Sequence, residues 1–516
     1  MSSFFIFFIL SLLSLLPLSL SQPRGILIDC GATNGTVIEG RRWLSDEGFV
    51  SGGSPMTISV PVDFSYLSTV RSFPNDPGHK FCYVARVYRE AKYMVRTTYF
   101  YGGFDGRDSP PVFDQIVDGT LWSVVNTTSD YAAGNLSYYE GVFLAQGNTM
   151  SVCIGANSYT ESDPFISALE FVILDDSLYN STDFKNFGLH LVERSSFGYN
   201  GSVIRYPDDE FDRYWEPFKE GNSTLATNSN KNISVSGFWN VPPLKIFETE
   251  LMTGQGEPLE LNWPVASLPF AKFYIALYFA DSSDSSSANS RDFDISINGV
   301  TYYGNLNVTP AGVVVFAAQW PLFGPTKITL TPSPKSNFGP LINGGEIFEV
   351  LPLGGRTLTR DVIALVKFKE SLENPPSDWN GDPCLPRQYS WTGITCSEGP
   401  RIRVIILNLT GMGLSGTLSP GIANMTALNG IWLGDNKLSG PIPDLSSLKR
   451  LEKLHLEDNQ FSGEIPLSLG DIATLRELFL QNNNLTGHIP SSLNGKTGLD
   501  LRVSGNSLLT SAPPPS

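Results

Sequence analysis

Four acidic side chains, Asp208, Asp209, Glu210 and Asp212, crowd into one short stretch. Two carboxylates flanking a glycosidic bond can hydrolyse it, one protonating the leaving oxygen and the other serving as nucleophile or base. Acids on a single turn more commonly form a solvated loop or neutralise cations, and Arg205 and Arg213 stand on either side of these four. Two aromatic pairs, Tyr99-Phe100 and Tyr278-Phe279, offer a different chemistry. An aromatic face suits the apolar C–H face of a pyranose ring, while polar neighbours take the hydroxyls. The same rings also read as strand residues that pack a core. His79, His190, His455 and His488 show no metal-ligand spacing, and neither a Gly-x-Ser-x-Gly nor a His-Glu-x-x-His motif occurs. Gly411-x-Gly413-x-x-Gly416 imitates a dinucleotide fingerprint, but Thr417-Leu418-Ser419-Pro420 follows where a helix should begin. The expectation is a protein with no metal, no cofactor and no catalytic set.

The elements that would position these residues are short. The chain has 516 residues, room for about three domains. Only 17% of residues are charged, and Gly, Ser, Asn and Pro are plentiful, which favours many strands and turns. A formal charge of −16 repels phosphate backbones and argues against a nucleic-acid partner, while leaving room for basic peptides. Residues 1–21 lack charge, and Phe4 to Leu18 is almost wholly apolar, which predicts a signal peptide cleaved before Gln22. The mature chain is then expected to be secreted to the apoplast or cell wall, or held at a membrane if the leader stays uncleaved. Eleven Asn-x-Ser/Thr acceptors for N-glycosylation agree with that route: Asn34, Asn126, Asn135, Asn180, Asn200, Asn222, Asn232, Asn307, Asn408, Asn424 and Asn484. Cys384 and Cys396 are close enough for a local disulfide, whereas Cys30, Cys82 and Cys153 leave an odd count, so at least one is a buried thiol or pairs outside the chain.

Residues 25–352 contain an internal repeat. Thr98-Tyr99-Phe100, Pro111-Val112-Phe113-Asp114 and Asp118-Gly119 are echoed by Leu277-Tyr278-Phe279, Asp292-Phe293-Asp294 and Asn298-Gly299. Each half closes on a matching strand, Pro164 to Glu170 and Pro340 to Glu346. Tyr99 lies 71 residues before Glu170, and Tyr278 lies 68 before Glu346. Duplication of an all-β unit predicts two sandwiches, at 25–180 and 190–352. Ile28-Asp29-Cys30-Gly31, Pro110 to Asp114, Pro164 to Glu170, Arg205-Tyr206-Pro207-Asp208-Asp209 and Asp212-Arg213-Tyr214-Trp215 together resemble the malectin-like domain of plant receptor kinases. That resemblance implies two side-by-side sandwiches outside the cell. The aromatic pairs are similar to the sugar-binding pair of animal malectin, which implies Tyr99, Phe100, Tyr278 and Phe279 as carbohydrate-binding candidates.

A second periodicity occupies 398–510. Asn436, Asn459, Asn483 and Asn506 recur every 23 or 24 residues, the first three within Leu/Ile-x-Leu-x-x-Asn-x-Leu/Phe-x-Gly-x-Ile-Pro units, which predicts a short leucine-rich-repeat solenoid. Residues 358–397, with a helical stripe at Asp361–Phe368 and the Cys384/Cys396 pair, resemble the N-terminal cap of plant repeat ectodomains. Gly381-Asp382-Pro383-Cys384 is similar to the junction of malectin-like receptors that continue into repeats. Residues 511–516 form a Pro-rich tail. Trp432, His455 and Phe479 fall between the repeat leucines, on the row where solenoids meet partners. The fold class read from the sequence is therefore mainly β, a tandem of malectin-like sandwiches followed by repeats. The function read from it is a receptor-like recognition protein, without its own kinase or membrane span. It would bind a cell-wall oligosaccharide or a secreted peptide and serve as co-receptor to a membrane receptor kinase. The alternatives are a wall-polysaccharide enzyme and a structural wall protein.

Overall fold

The computed structural model describes residues 24–510, except 63, 220–223, 228–236, 282–289 and 400. The leader, the Pro-rich tail and the acceptors Asn222 and Asn232 lie outside the described residues. The two halves of the duplicated region share one sheet of eleven strands. It runs from Thr36–Ile38 through Arg41–Ser45, Gly25–Asp29, Ala168–Ile173, Lys92–Tyr99 and Ser137–Leu144 into Phe187–Phe197, Gly344–Pro352, Leu268–Phe279 and Val313–Gly324. The seam between halves is antiparallel, with Gly141 opposite His190 and Val142 opposite Leu189. In each half a four-stranded and a three-stranded sheet cover one face of the long sheet. The enclosed cores hold Tyr93, Val95, Tyr99 and Phe113 in the first half and Phe273, Ile275, Leu277 and Phe279 in the second. The opposite face carries Met94, Val142, Tyr274 and Tyr278, packed against Tyr179, Trp215 and Phe247 from the connecting segments.

The internal repeat is real, but its register differs by one residue from the expected pairing of Tyr99 with Tyr278. Phe100 donates its backbone N–H to Ser167, and Ala280 donates its own to Asn343. These matching bonds make Tyr99 the counterpart of Phe279, and Tyr278 the counterpart of Thr98. A shift of one residue in a strand moves a side chain to the other face of the sheet. Tyr99 and Tyr278 accordingly point into different cores.

The repeats form two ladders, parallel throughout except where the cap strand Ile394–Cys396 pairs antiparallel with Val404–Asn408. One has six strands, among them Val404–Asn408, Gly430–Trp432, Lys453–His455, Glu477–Phe479 and Asp500–Arg502, and the other has five. Inward residues Ile431, Leu433, Leu454, Leu456, Leu478 and Leu480 are completely buried. Each repeat asparagine fastens its own coil to the preceding one. Asn459 donates to Leu433 O at 2.8 Å and accepts from Leu438 N at 2.9 Å, and Asn506 does the same with Leu480 O and Leu485 N. The imitated fingerprint at Gly411–Gly416 lies in this ladder, with strand Ser415–Thr417 where a dinucleotide fold would start a helix.

The cap joins the repeats to the first sandwich. Its helix Thr359–Glu370 buries Ala364, Leu365 and Phe368, Trp379 stacks on Trp391 at 5.2 Å, and Cys384 is bonded to Cys396. Lys80 of the first sandwich donates to the carbonyls of Asp382, Leu385 and Tyr389, and the Tyr389 hydroxyl donates to Asp114 at 2.8 Å. Burial lowers the Lys80 ammonium to about 8. A second disulfide, Cys82–Cys153, lies under this contact, leaving Cys30 as the buried free thiol. Gly381 has a φ of +68°, and a Cβ there would meet the sulfurs of Cys82 and Cys153 at 2.8 and 3.0 Å. Gly381→Ala should therefore cost about 1–3 kcal/mol. Calorimetry should show the repeats melting apart from the sandwiches, and an unchanged single transition would contradict the clamp.

At the seam, Trp122 donates to His190 Nδ1 at 2.8 Å, and burial lowers the His190 imidazole from 6.5 to about 4. Between those pH values the unfolded chain holds the proton and the native chain does not, so this group withdraws stability as pH falls. The stability difference between wild type and His190→Gln should shrink or change sign on acidification from pH 6.5 to 4, as measured by urea unfolding at each pH.

Candidate functional site

Five arginines and five carboxylates meet between the two sandwiches: Arg41, Arg96, Arg194, Arg205 and Arg213 with Glu140, Glu170, Glu346, Asp209 and Asp212. Glu140 is the bridge, accepting from Arg96 at 2.8 Å and from Arg194 at 2.7 Å. Arg96 belongs to the first half and Arg194 to the second, and both side chains are fully buried. Arg194 continues to Glu346 at 2.8 Å, while Arg96 faces Glu170 at 3.3 Å. These two glutamates are the repeat-equivalent residues that close each half. Asp212 crosses back from the second half to Arg41 and Arg96 and accepts from Arg205 at 3.0 Å. Tyr214 lies between two guanidiniums, with Arg96 3.6 Å and Arg205 4.6 Å from its ring centre.

The charges counter the cost of burial. Desolvation acts to raise the Glu140 carboxyl, but Arg194 and Arg96 outweigh it and hold it below the ordinary glutamate range. Asp212 follows the same balance, with Arg96, Arg205 and Arg41 prevailing over burial. The acidic stretch at 208–212 is thus accounted for largely by partners. Asp209 takes Arg213 and the Trp215 indole, Asp212 takes the arginines named above, Asp208 pairs with Lys245 at 2.8 Å, and Glu210 is exposed. Asp209 and Asp212, both buried and committed to guanidiniums, do not form the free carboxylate pair that glycoside hydrolysis requires.

Beside this cluster a groove of about 900 Å3 opens between the sandwiches. Phe64, Phe100, Tyr138, Tyr206 and Tyr214 line it, together with Glu39, Asp130, Asp208 and Glu216. Arg205 is the only cation in the lining among the described residues, and it is held by Asp212 and Tyr214. Of the four carbohydrate candidates, Phe100 lines this groove. The other three carbohydrate candidates are corrected by the structure. Tyr99 is inside the first core, donating to Gln115 at 3.0 Å, and Phe279 packs on Phe293 in the second. Tyr278 donates to Glu346 at 2.6 Å beneath the charge cluster. None of the three offers a ring face to a sugar, because the strands that carry them are covered on both sides. Groove residues such as Glu39, Tyr138 and Glu216 had no local signal, since they converge from distant segments.

The repeat row is continuous. Asn408, Trp432, His455, Phe479 and Arg502 are in register on successive strands. His455 stacks on Phe479 at 4.1 Å, Arg502 lies 3.9 Å from the Phe479 ring centre, and Glu477 accepts from His455 at 2.9 Å. The nine described glycosylation acceptors are all exposed: Asn34, Asn126, Asn135, Asn180, Asn200, Asn307, Asn408, Asn424 and Asn484. Among the described residues no group of His, Cys, Asp and Glu is arranged to hold a metal, and no helix is long and apolar enough to cross a membrane.

Removing one member of a buried ion cluster leaves its partners uncompensated, at about 3–5 kcal/mol. Glu140→Ala should lose stability on that scale in denaturant titrations, whereas Glu210→Ala should leave the midpoint nearly unchanged. Equal midpoints for the two variants would refute the bridging role.

The malectin-like domain profile matches residues 28–350, a leucine-rich-repeat N-terminal domain matches 358–397, and leucine-rich repeats match 450–472 and 474–495. A leucine-rich repeat receptor-like serine/threonine-protein kinase of Arabidopsis thaliana is 31% identical over 431 residues, covering 80% of this chain and 48% of the relative. A probable receptor-like kinase of the same plant is 32% identical over 482 residues, covering 85% of this chain and 49% of the relative. The chain spans about half the length of the curated relatives it matches. The ANX2 ectodomain from Arabidopsis thaliana aligns with a TM-score of 0.54 at 16% identity, over 63% of this chain and 97% of that one. FER, solved with the plant peptide RALF23 and LLG2, is represented by a chain with a TM-score of 0.52 at 19% identity, over 64% and 96%. With its malectin-like region followed by a repeat cap and repeats, the chain belongs to the malectin-like family, in the arrangement of leucine-rich-repeat receptor-like kinases.

Proposed function

We propose that this chain is an extracellular, receptor-like recognition protein that holds a basic peptide in the groove between its sandwiches. The lining of the groove carries this reading. Aromatic rings supply contact area, and carboxylates outnumber cations. Lys245 pairs with Asp208 and Arg41 lies 3.8 Å from Glu39, while Asp130 and Glu216 face the groove beside them, in a chain of formal charge −16. Such a field draws in cations and disfavours acidic ligands. The complex of RALF23 with FER and LLG2 involves a peptide and a protein of this fold, which supports a peptide occupant. Aromatic faces also favour a second reading, a neutral wall oligosaccharide. The row from His455 to Arg502 suits a partner ectodomain, such as that of a membrane receptor kinase. The exposed acceptors and the extracellular domains among similar structures support a secreted or surface location.

Salt separates the two ligand classes, because exposed charges are screened within a Debye length of about 8 Å at physiological ionic strength. The test is binding of the secreted chain to arrays of basic peptides and wall oligosaccharides, at low and high salt, beside Glu39→Lys. Peptide capture should weaken with salt, and Glu39→Lys should weaken it about tenfold, or about 1.4 kcal/mol. Salt-independent binding to a neutral oligosaccharide, unaffected by Glu39→Lys, would transfer the groove to the second reading.

A further inference from the structure

The cap end of the repeat row holds an arrangement that the ligand groove does not use. Asn408, Leu409 and Thr410 form an Asn-x-Thr acceptor on the first regular repeat strand. Asn408 is exposed, and its Oδ1 accepts from the Thr410 N–H at 3.2 Å and the Thr410 hydroxyl at 3.0 Å. These bonds occupy the oxygen and leave the amide Nδ2 as the available atom. Directly across the parallel ladder stands Trp432, in register with Asn408. Neighbouring strands lie about 4.8 Å apart, so both side chains leave the same face as neighbours. A pocket of about 430 Å3 opens there, lined by Gly393, Ile394, Thr395, Ile406, Asn408 and Trp432. The Trp432 ring comes so close to Gly430 that a Cβ at that position would meet it at 2.0 Å. The indole position thus depends on a glycine. Asn484, another acceptor in the repeats, stands opposite Ser462 and has no such neighbour.

We propose that Asn408 carries an N-linked oligosaccharide whose first sugar packs on Trp432 and fills this pocket. In the modification, Nδ2 forms a bond to the anomeric carbon of a diphosphate-activated oligosaccharide. The bond from that carbon to the diphosphate breaks, and one amide proton leaves with the departing group. The apolar face of the attached pyranose then lies against the indole, as aromatic rings favour. The glycan closes the cap end of the row, so a protein partner reaches only the end formed by His455, Phe479 and Arg502.

The test uses the full chain secreted from a glycosylating eukaryotic host. Glycopeptide mass spectrometry reads occupancy at Asn408, and hydroxyl-radical footprinting reads the reactivity of Trp432. The comparison is Thr410→Ala, which removes the acceptor while retaining Asn408. Asn408 should be occupied, and Trp432 should be oxidised several-fold more slowly in wild type than in Thr410→Ala. Should that variant not be secreted, wild type trimmed under native conditions to the first sugar should keep Trp432 protected, and complete enzymatic release should expose it. An unmodified Asn408, or equal Trp432 reactivity with and without the glycan, overturns the proposal. Neither result depends on what the groove binds.

Discussion

The structure turns on a charge cluster sealed between two sandwiches. Glu140 is shared by Arg96 and Arg194, one from each half, and Asp212 returns the contact through Arg41 and Arg96. Burying so many ions costs several kcal/mol for each one, and the cost is offset only when every charge has its partners in good geometry. The two halves therefore have little freedom to rotate, since a small displacement would strand a guanidinium in a dry interior. The strand seam between the halves is registered by two residue pairs, so the charge cluster and the apolar cluster of Met94, Val142, Tyr274 and Phe348 add to backbone pairing in fixing the angle between sandwiches. That angle defines the groove, whose walls come from both halves and whose floor includes the Tyr214 ring held by Arg96 and Arg205.

The same logic extends to the third module. Lys80 donates to three cap carbonyls, and the Asp382 carboxylate accepts from the backbone N–H groups of Thr357, Cys384 and Leu385. The junction stretch Gly381-Asp382-Pro383-Cys384 thus works as a joint as well as part of the cap. Its glycine admits the Cys82–Cys153 bridge, its aspartate organises the loop, and its cysteine staples the cap to Cys396. Groove and repeat row are consequently held in one body, which would let a ligand and a protein partner engage together.

The sequence made some of this legible and hid the rest, for physical reasons. The repeats were plain because each asparagine performs the same backbone-bonding task every 23 or 24 residues, and a periodic task leaves a periodic sequence. The duplication was visible in its closing strands, since Glu170 and Glu346 hold equivalent places in the cluster. Its exact register was hidden, because adjacent aromatic residues in a doubly covered strand give no alternation to count. Sequence spacing therefore equates Tyr99 with Tyr278, although each belongs to a different core. Arg205 and Arg213, adjacent to the acidic stretch, are partners of Asp212 and Asp209, whereas the reach of Asp212 to Arg41 and Arg96, far away in the chain, leaves no local mark. The groove has no linear signature, because its lining converges from distant segments, and Phe100 is its one aromatic among the carbohydrate candidates.

Hydrogen exchange on the intact secreted chain, with and without a saturating lysine- and arginine-rich peptide selected from the array, tests the account most directly. Slowed exchange confined to the groove segments around residues 64–67, 130–138 and 202–216 is the predicted result. Protection on the repeat row alone, or in only one of the sandwiches, would contradict a ligand site built from both halves.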